Sequence, residues 1–271
     1  MSNRITKHFE SLSDSSIKLL SLSSLFDKDF SIDWLIQLTN NKASCILSTL
    51  EKLCKEQLLI NIGNGWYRFS DFKSKESFQC HLSNHEKQKI HRRISTILMN
   101  EASDDENKAI YLTKHLMEIE NDIEGCKWLI KAAEISKANY QIEDSLQIYS
   151  KAIDDLLKIN NVTTDKLFVK AALNYSKLST ARQNTDHVIE ILKEAMTRTV
   201  RNGDKTCKIL LEMHMAKNEW LRSHPSRAFR HFKSGMTMAQ KLDDSSLMPS
   251  VKTFGTFFLY FINSSKASFS S

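Results

Sequence analysis

The chain contains very little glycine and proline, with 6 Gly and 2 Pro in 271 residues. Both residue types interrupt helices and form turns, so their scarcity favours long uninterrupted helices over a sheet with many turns. The five cysteines include no Cys-x-x-Cys pair. A scattered, odd number of cysteines is typical of proteins of the reducing cytosol. We therefore expect these thiols to be small hydrophobic residues of a core.

Long apolar runs are also missing. The most apolar stretch, 254–262, is about half as long as the roughly 20 residues that a membrane-spanning helix requires. The N-terminal sequence MSNRITKHFESLSDSS lacks the apolar segment of a signal peptide. The net charge of +6, from 38 basic and 32 acidic residues, permits contact with nucleic acid but does not require it. We expect a cytoplasmic protein that does not span a membrane.

Motifs for catalysis, metals and cofactors are absent from the sequence. No GxxxxGK[ST] phosphate loop occurs, so nothing is present to hold a nucleoside triphosphate. His81, His85 and His91 lie close together, but Lys89 stands where an HExxH metal-binding helix requires its second histidine. We interpret these histidines as solvated side chains of a helix. We predict that the protein is not an enzyme and binds no metal or cofactor.

Residues 12–74 have the pattern of a winged helix, preceded by a tail at 1–11. Asp14 and Ser31 are candidate N-caps for two helices, and a third helix follows. The apolar residues of that third helix are Ala43, Ile46, Leu47, Leu50, Leu53 and Cys54. Two strand-like runs then flank a turn at Asn64-Gly65, a dipeptide that favours a tight β-hairpin. Three helices followed by a β-hairpin is the element order of a winged helix.

The remainder of the chain predicts helices throughout. Linking helices occupy 75–103, where Ser83-x-x-Glu86 predicts a capping box. Helical repeats occupy 104–262, and a disordered tail occupies 263–271. A helical hairpin is predicted at 107–138, and a helix at 142–158 packs back on the helix before it. The further predicted pairs are 164–180 with 185–201 and 205–222 with 226–241, before a last helix at 247–262.

Three of the predicted helices share one pattern: a smaller residue, a bulky residue four positions later, and Ala or Gly three positions further. Small residues let paired helices approach closely, and the bulky one fills the groove between them. This pattern is typical of stacked helical hairpins, which serve as binding scaffolds. The predicted repeat-packing residues are Ser145, Tyr149, Ala152, Val188, Leu192, Ala195, Ala228, Phe232 and Gly235.

The predicted last helix carries bulky apolar residues around most of its circumference. The chain offers no further helix to cover them, and an exposed apolar patch of this kind marks an interface or an aggregation site. We expect self-association through this edge. Its residues are Phe254, Phe257, Phe258, Tyr260 and Phe261.

With both parts in view, the chain resembles the middle of the signal-transduction ATPases with numerous domains, the STAND class, which includes bacterial transcription regulators of the maltose-regulon-activator type. The resembling segments are Leu25-Phe26-Asp27-Lys28-Asp29-Phe30-Ser31-Ile32, Leu50 through Leu59, Trp66-Tyr67-Arg68-Phe69-Ser70-Asp71, Ile90-His91-Arg92-Arg93-Ile94, Lys131-Ala132-Ala133-Glu134, Ala138 through Leu146, and Tyr149-Ser150-Lys151-Ala152. In that class a nucleotide-binding domain precedes a winged helix and tetratricopeptide-like repeats. The resemblance covers about residues 12–155, and the rest only as generic helical repeat.

The missing phosphate loop departs from that class, so the resemblance implies a truncated or split member. It implies a mainly α fold, in which a small winged helix leads into a tetratricopeptide-like repeat array. We predict a noncatalytic signal-sensing and protein-interaction module. Its repeats would bind a protein or a small inducer, and the winged helix would relay binding to a neighbouring ATPase domain or subunit.

The alternative is a DNA-binding regulator in which the winged helix contacts DNA and the repeats sense the signal. Glu51 and Glu56 on the third helix oppose this, because carboxylates repel phosphates. The candidate nucleic-acid contacts are Lys42, Lys52, Lys55 and Arg68.

Overall fold

The computed structural model describes residues 12–101, 106–179, 185–242 and 252–256, and these are mainly helical. The chain divides into two compact units, Met1–Glu120 and Asn121–Ser271. Within the described ranges, no helix is both long and apolar enough to cross a membrane. The predicted tails at 1–11 and 263–271 lie outside the described residues.

The first unit begins with three helices and a small sheet. Its elements are α1 (Asp14–Ser23), β1 (Asp29–Ser31), α2 (Ile32–Thr39), α3 (Ala43–Lys55), β2 (Leu59–Gly63), β3 (Trp66–Phe69), α4 (Phe72–Cys80), α5 (Asn84–Asn100) and α6 (Glu106–Met117). Ser31 caps α2 as predicted, accepting a hydrogen bond from the Asp33 amide. The N-cap of α1 is Ser13 rather than Asp14, which lies in the first turn. The capping box of α5 is confirmed.

The sheet is antiparallel, with the strand order β1-β3-β2. The hairpin predicted around Asn64-Gly65 is confirmed, and both turn residues have the positive φ that such a turn requires (52° and 78°). Along β3, Phe69 is buried and Trp66 is partly exposed, as the alternation of a strand demands. The sequence analysis missed β1, which pairs with β3 through Phe30 and Tyr67.

Aromatic side chains form the core of the first unit. Phe26 stacks on Trp34 with ring centroids 5.2 Å apart, and Phe30 stacks on Tyr67 at 6.2 Å. The buried stripe of α3 is narrower than predicted, because Leu47 is 42% exposed. A helix that packs on one side alone buries positions spaced by three and four, and Leu47 falls beside that stripe.

The second unit is built of helical hairpins. Its elements are α7 (Ile123–Ala138), α8 (Ile142–Ile159), a 3₁₀ turn (Val162–Thr164), α9 (Asp165–Leu178), α10 (Thr185–Asn202), α11 (Lys205–Leu221) and α12 (Pro225–Leu242). Each helix packs on the next along the chain, and α9 also packs on α11. The hairpins α7/α8, α9/α10 and α11/α12 begin 42 and 40 residues apart. The division between the units falls before α7, inside the predicted pair 107–138.

The predicted repeat-packing residues lie at the contacts within these hairpins. Seven of the nine have no exposed surface, Gly235 is buried, and Phe232 is partly buried. The hydroxyl of Ser145 donates a hydrogen bond to the carbonyl of Ala133 across the first hairpin (2.8 Å). A Cβ added to Gly235 would come within 2.5 Å of the Met213 methyl group. Ser145 and Gly235 are therefore points of close helix approach.

Candidate functional site

The second unit contains a groove of about 430 Å³ between α7, α9 and α11. This volume lies within the range of pockets that hold small ligands or peptide segments, about 300–1,000 Å³. Val169 and Leu173 of α9 are buried and contribute apolar surface to its floor. The groove thus combines an apolar floor with the charged side chains that surround it.

Three lysines of α9 border the groove: Lys166, Lys170 and Lys177. Their spacing of four and seven residues places them on one face of a helix. All three are exposed, whereas α9 buries Phe168 and Ala172 on its other side. The face that α9 presents to the groove therefore carries these lysines beside Val169 and Leu173.

The acidic residues at the groove are already engaged. Glu134 of α7 forms an ion pair with Lys170 (2.8 Å), and Asp204 accepts a hydrogen bond from the Cys207 amide (2.9 Å) as the N-cap of α11. Lys166 and Lys177 form no ion pair with any residue in the described part of the chain. The groove therefore carries two lysines 11 residues apart that form no ion pair among the described residues, and the Asp204 carboxylate also lies at its edge.

Cys207 is the one thiol at this groove. Burial and the neighbouring Asp204 raise its pKa to about 11. The thiol is therefore protonated at neutral pH, and a protonated thiol is neither a nucleophile nor a good metal ligand.

A buried polar network lies between α9 and α11. The Ser176 hydroxyl is 3.0 Å from Nδ1 of His214 and accepts a hydrogen bond from the Asn218 amide (3.1 Å). The Lys217 ammonium donates hydrogen bonds to the carbonyls of Ser176 and Ser179, at the C-terminal end of α9. Burial lowers the pKa of His214 to about 3. Ser176 and His214 are 0% and 2% exposed, so neither of these two side chains is open to a substrate.

A second buried network joins α8, α9 and α10. Arg198 is fully buried, with its guanidinium 4.0 Å above the ring of Phe168. It donates hydrogen bonds to Glu194 (2.7 Å) and to the Leu156 carbonyl (3.3 Å). Asp165 lies 4.0 Å from it. The sequence analysis missed both networks, because polar residues on amphipathic helices ordinarily predict exposure.

The first unit buries two histidines in contact. Nδ1 of His91 lies 2.8 Å from Nδ1 of His115, and the side chains are 9% and 3% exposed. Burial lowers both pKa values, that of His115 to about 3. The interpretation of His91 as solvated was therefore wrong, whereas His81 and His85 are exposed. The sequence did contain an indication that His91 is buried, because it precedes the apolar Ile94 by about one helical turn and therefore lies on the same face of the helix.

The candidate nucleic-acid residues are scattered over different local environments. Lys42 and Lys55 are exposed at the two ends of α3. Lys52 lies 3.8 Å from Glu56. Arg68 is bound to both carboxylate oxygens of Asp29 (2.6 and 2.8 Å), which ties β3 to β1. Two of the four candidate side chains, Lys52 and Arg68, are therefore paired with carboxylates, and a nucleic-acid contact through these residues stays a prediction.

Most of the predicted apolar edge lies outside the described residues. Phe254 is described, and it packs on a cluster formed by α11 and α12 with its ring 5.4 Å from that of His214. Phe257, Phe258, Tyr260 and Phe261 lie beyond residue 256. The expected interface at this edge thus stays a prediction.

The cysteines differ from the expected core thiols. Cys126 is buried, and burial raises its pKa to about 12. Cys45 and Cys80 are exposed, so the expectation was wrong for these two. Cys45 lies outside the narrow buried stripe of α3. Across the described residues, no group of three His, Cys, Asp or Glu side chains is arranged to hold a metal ion.

Comparisons with known proteins give little on which to base an assignment. No protein-family model and no curated protein matches the chain. Among solved structures, the chain is similar to a STAND protein with a tetratricopeptide repeat sensor from Pyrococcus horikoshii, with 18% identity and a TM-score of 0.49. The similarity covers 94% of this chain and 36% of that one, so the chain spans about a third of that protein's length. These values are too low to assign the chain to the STAND class.

Proposed function

We propose that the chain is a noncatalytic protein-interaction and signal-sensing module, whose second unit binds an acidic segment of a partner in the groove between α7, α9 and α11. The basic face of α9 carries this proposal. Lys166 and Lys177 border an apolar floor without an ion-pair partner among the described residues. An extended segment with carboxylates spaced along it would neutralise both ammonium groups at once.

The repeated hairpins support a tetratricopeptide-like scaffold. Intervals of 42 and 40 residues exceed the roughly 34 residues of a tetratricopeptide repeat, and the helices are correspondingly long. A stack of such hairpins presents alternate helices to one side, which produces an extended binding surface. The groove follows this rule, because it is lined by the first helix of each hairpin.

We propose a relay role for the first unit, as a winged helix. The element order α1-β1-α2-α3-β2-β3 and the strand order β1-β3-β2 support this. Direct DNA binding is the weaker alternative, because Arg68 is neutralised by Asp29 and Lys52 lies beside Glu56. A packing role against a neighbouring ATPase domain or subunit fits these surfaces better.

The proposal of a noncatalytic role rests on two side-chain environments. The Ser176–His214 contact has the spacing of a nucleophile and its base, but both side chains are buried. The Cys207 thiol borders the groove but is protonated at neutral pH. These described groups therefore offer no activated nucleophile to a bound segment.

Peptides of defined charge test the groove. The probes are two sets of short fluorescein-labelled peptides. In the acidic set Asp and Glu alternate with Leu, and in the basic set Lys replaces every Asp and Glu. Fluorescence anisotropy should show binding of the acidic set, weakened by salt. Lys166→Glu with Lys177→Glu should weaken it about tenfold or more.

The matched control changes two exposed lysines that do not line the groove, Lys18→Glu with Lys193→Glu. It makes the same change in net charge and should leave the affinity near that of the parent. Equal binding of acidic and basic peptides, or unchanged affinity in the groove variant, would contradict the proposal.

A further inference from the structure

The outward faces of α8 and α12 carry opposite charge. On α8 the exposed acidic residues are Glu143, Asp144 and Asp154. Helix α12 contains no acidic residue, and its exposed basic residues are Arg227, Arg230, Lys233 and Lys241. None of these seven side chains forms an ion pair with a residue in the described ranges.

The two faces also match in length and spacing. Both helices have 18 residues, which corresponds to about 27 Å. Glu143 and Asp154 are 11 residues apart, and so are Arg230 and Lys241. When the helices run antiparallel, Glu143 therefore aligns with Lys241 while Asp154 aligns with Arg230.

The positions between and beside these pairs suit the same alignment. The exposed, uncharged Gln147 aligns with the exposed Thr237. Leu157, which is 39% exposed, aligns with the exposed Arg227. Lys233 aligns with Lys151, whose ammonium already binds Asp155 (3.0 Å) and is therefore neutralised. The alignment thus creates two opposite-charge pairs, and the one aligned lysine pair includes a Lys151 that Asp155 already neutralises.

We infer that the chain associates with a second copy of itself, with the acidic face of α8 in one copy binding the basic face of α12 in the next. The two faces belong to the first and last hairpins in the described part of the second unit, so a contact between two copies leaves one face of each kind unused. Such a heterologous contact produces chains or closed rings rather than a dimer alone. This surface is separate from the groove, and the inference does not depend on the proposed function.

The contact should be weak and sensitive to salt, because exposed ion pairs contribute little individually and are screened. In sedimentation velocity at low salt, the full chain should show a weight-average sedimentation coefficient that rises with concentration beyond the value of a dimer. Added salt should return it toward the monomer.

Reciprocal charge reversal tests the pairing directly. Arg230→Glu with Lys241→Glu reverses the two aligned charges of α12, and Glu143→Lys with Asp154→Lys reverses the two aligned charges of α8. Each variant alone should be monomeric, with its association weakened about tenfold or more. An equimolar mixture should associate again, because the acidic α8 of one variant meets the basic α12 of the other, and the reverse pairing is equally favourable.

The control Lys18→Glu with Lys193→Glu changes exposed lysines on neither face and should associate like the parent. Circular dichroism should show that all variants are folded.

A monomeric parent at high micromolar concentration and low salt, or a mixture that stays monomeric, would overturn the inference. It would also fail if removal of 247–271 abolished association that the charge reversals left intact. Loss of duplex DNA binding in the α12 variant, with no rescue in the mixture, would assign the basic face to nucleic acid instead.

Discussion

The buried histidines should make the fold sensitive to mild acid. His115 in the first unit and His214 in the second have pKa values lowered to about 3 by burial, whereas an unfolded histidine titrates near 6.5. The folded state therefore holds both imidazoles neutral. Below about pH 6.5 the unfolded chain takes up protons that the folded chain does not, so the free energy of unfolding falls as pH decreases toward 3.

The magnitude follows from these two pKa values. Between about pH 7.5 and pH 5 each buried imidazole should remove about 2 kcal/mol from the free energy of unfolding. Carboxylates contribute little in that window. Asp27, for example, has its pKa lowered by its hydrogen bond with Lys114, so the stability it confers is lost only below the unfolded value of about 4.

Urea unfolding followed by circular dichroism at the two pH values measures this effect. In His214→Gln the change in the free energy of unfolding between the two pH values should be about 2 kcal/mol smaller than in the parent. This holds whatever stability the substitution itself removes at neutral pH. His85→Gln is the matched control, because His85 is exposed, and it should keep the parental difference. A parental pH dependence in His214→Gln would refute the conclusion that this imidazole is buried in its neutral form.

Three further predictions concern packing, nucleotides and the C-terminal edge. Ala152→Trp or Ala195→Trp should lower the free energy of unfolding by roughly 1–3 kcal/mol or more, because both side chains are fully buried between helices; a parental melting temperature would show that the helix register is wrong. Calorimetry should detect no binding of ATP, since the sequence has no phosphate loop, and low-micromolar affinity would contradict this. Deletion of 247–271 should shift the chain toward the monomer in sedimentation if the predicted apolar edge contributes to association; an unchanged distribution would exclude that edge.

Local rules were sufficient for much of the fold. The turn at Asn64-Gly65 needs positive φ, and two strand-like runs flank it, so the hairpin could be predicted from a few neighbouring residues. The helix pairs that became α9/α10 and α11/α12 could be predicted from period alone. Strand β1 could not, because it has three residues and exists through its pairing with β3.

The buried polar groups could not be predicted, because their partners are distant in sequence. Arg198 and the Leu156 carbonyl are 42 residues apart, and His91 and His115 are 24 apart. A single sequence shows the helical period of each residue but not which helix faces it. The lysines of α9 were overlooked for a related reason, since a basic stripe becomes a candidate site only when α7 and α11 are seen to flank it.

The buried and exposed positions of α8 have different roles, in packing and in binding. Its inward positions Ser145, Tyr149 and Ala152 have no exposed surface, so they are constrained by contact with α7 and α9. Its outward positions Glu143 and Asp154 are exposed, so their replacement should change association and leave stability within about 0.5 kcal/mol of the parent. The same separation of inward and outward positions holds on α9 and α12. A helical array built in this way can therefore change its partners by surface substitution while its hairpins stay intact, and variants at the two kinds of position should separate cleanly in unfolding and binding experiments.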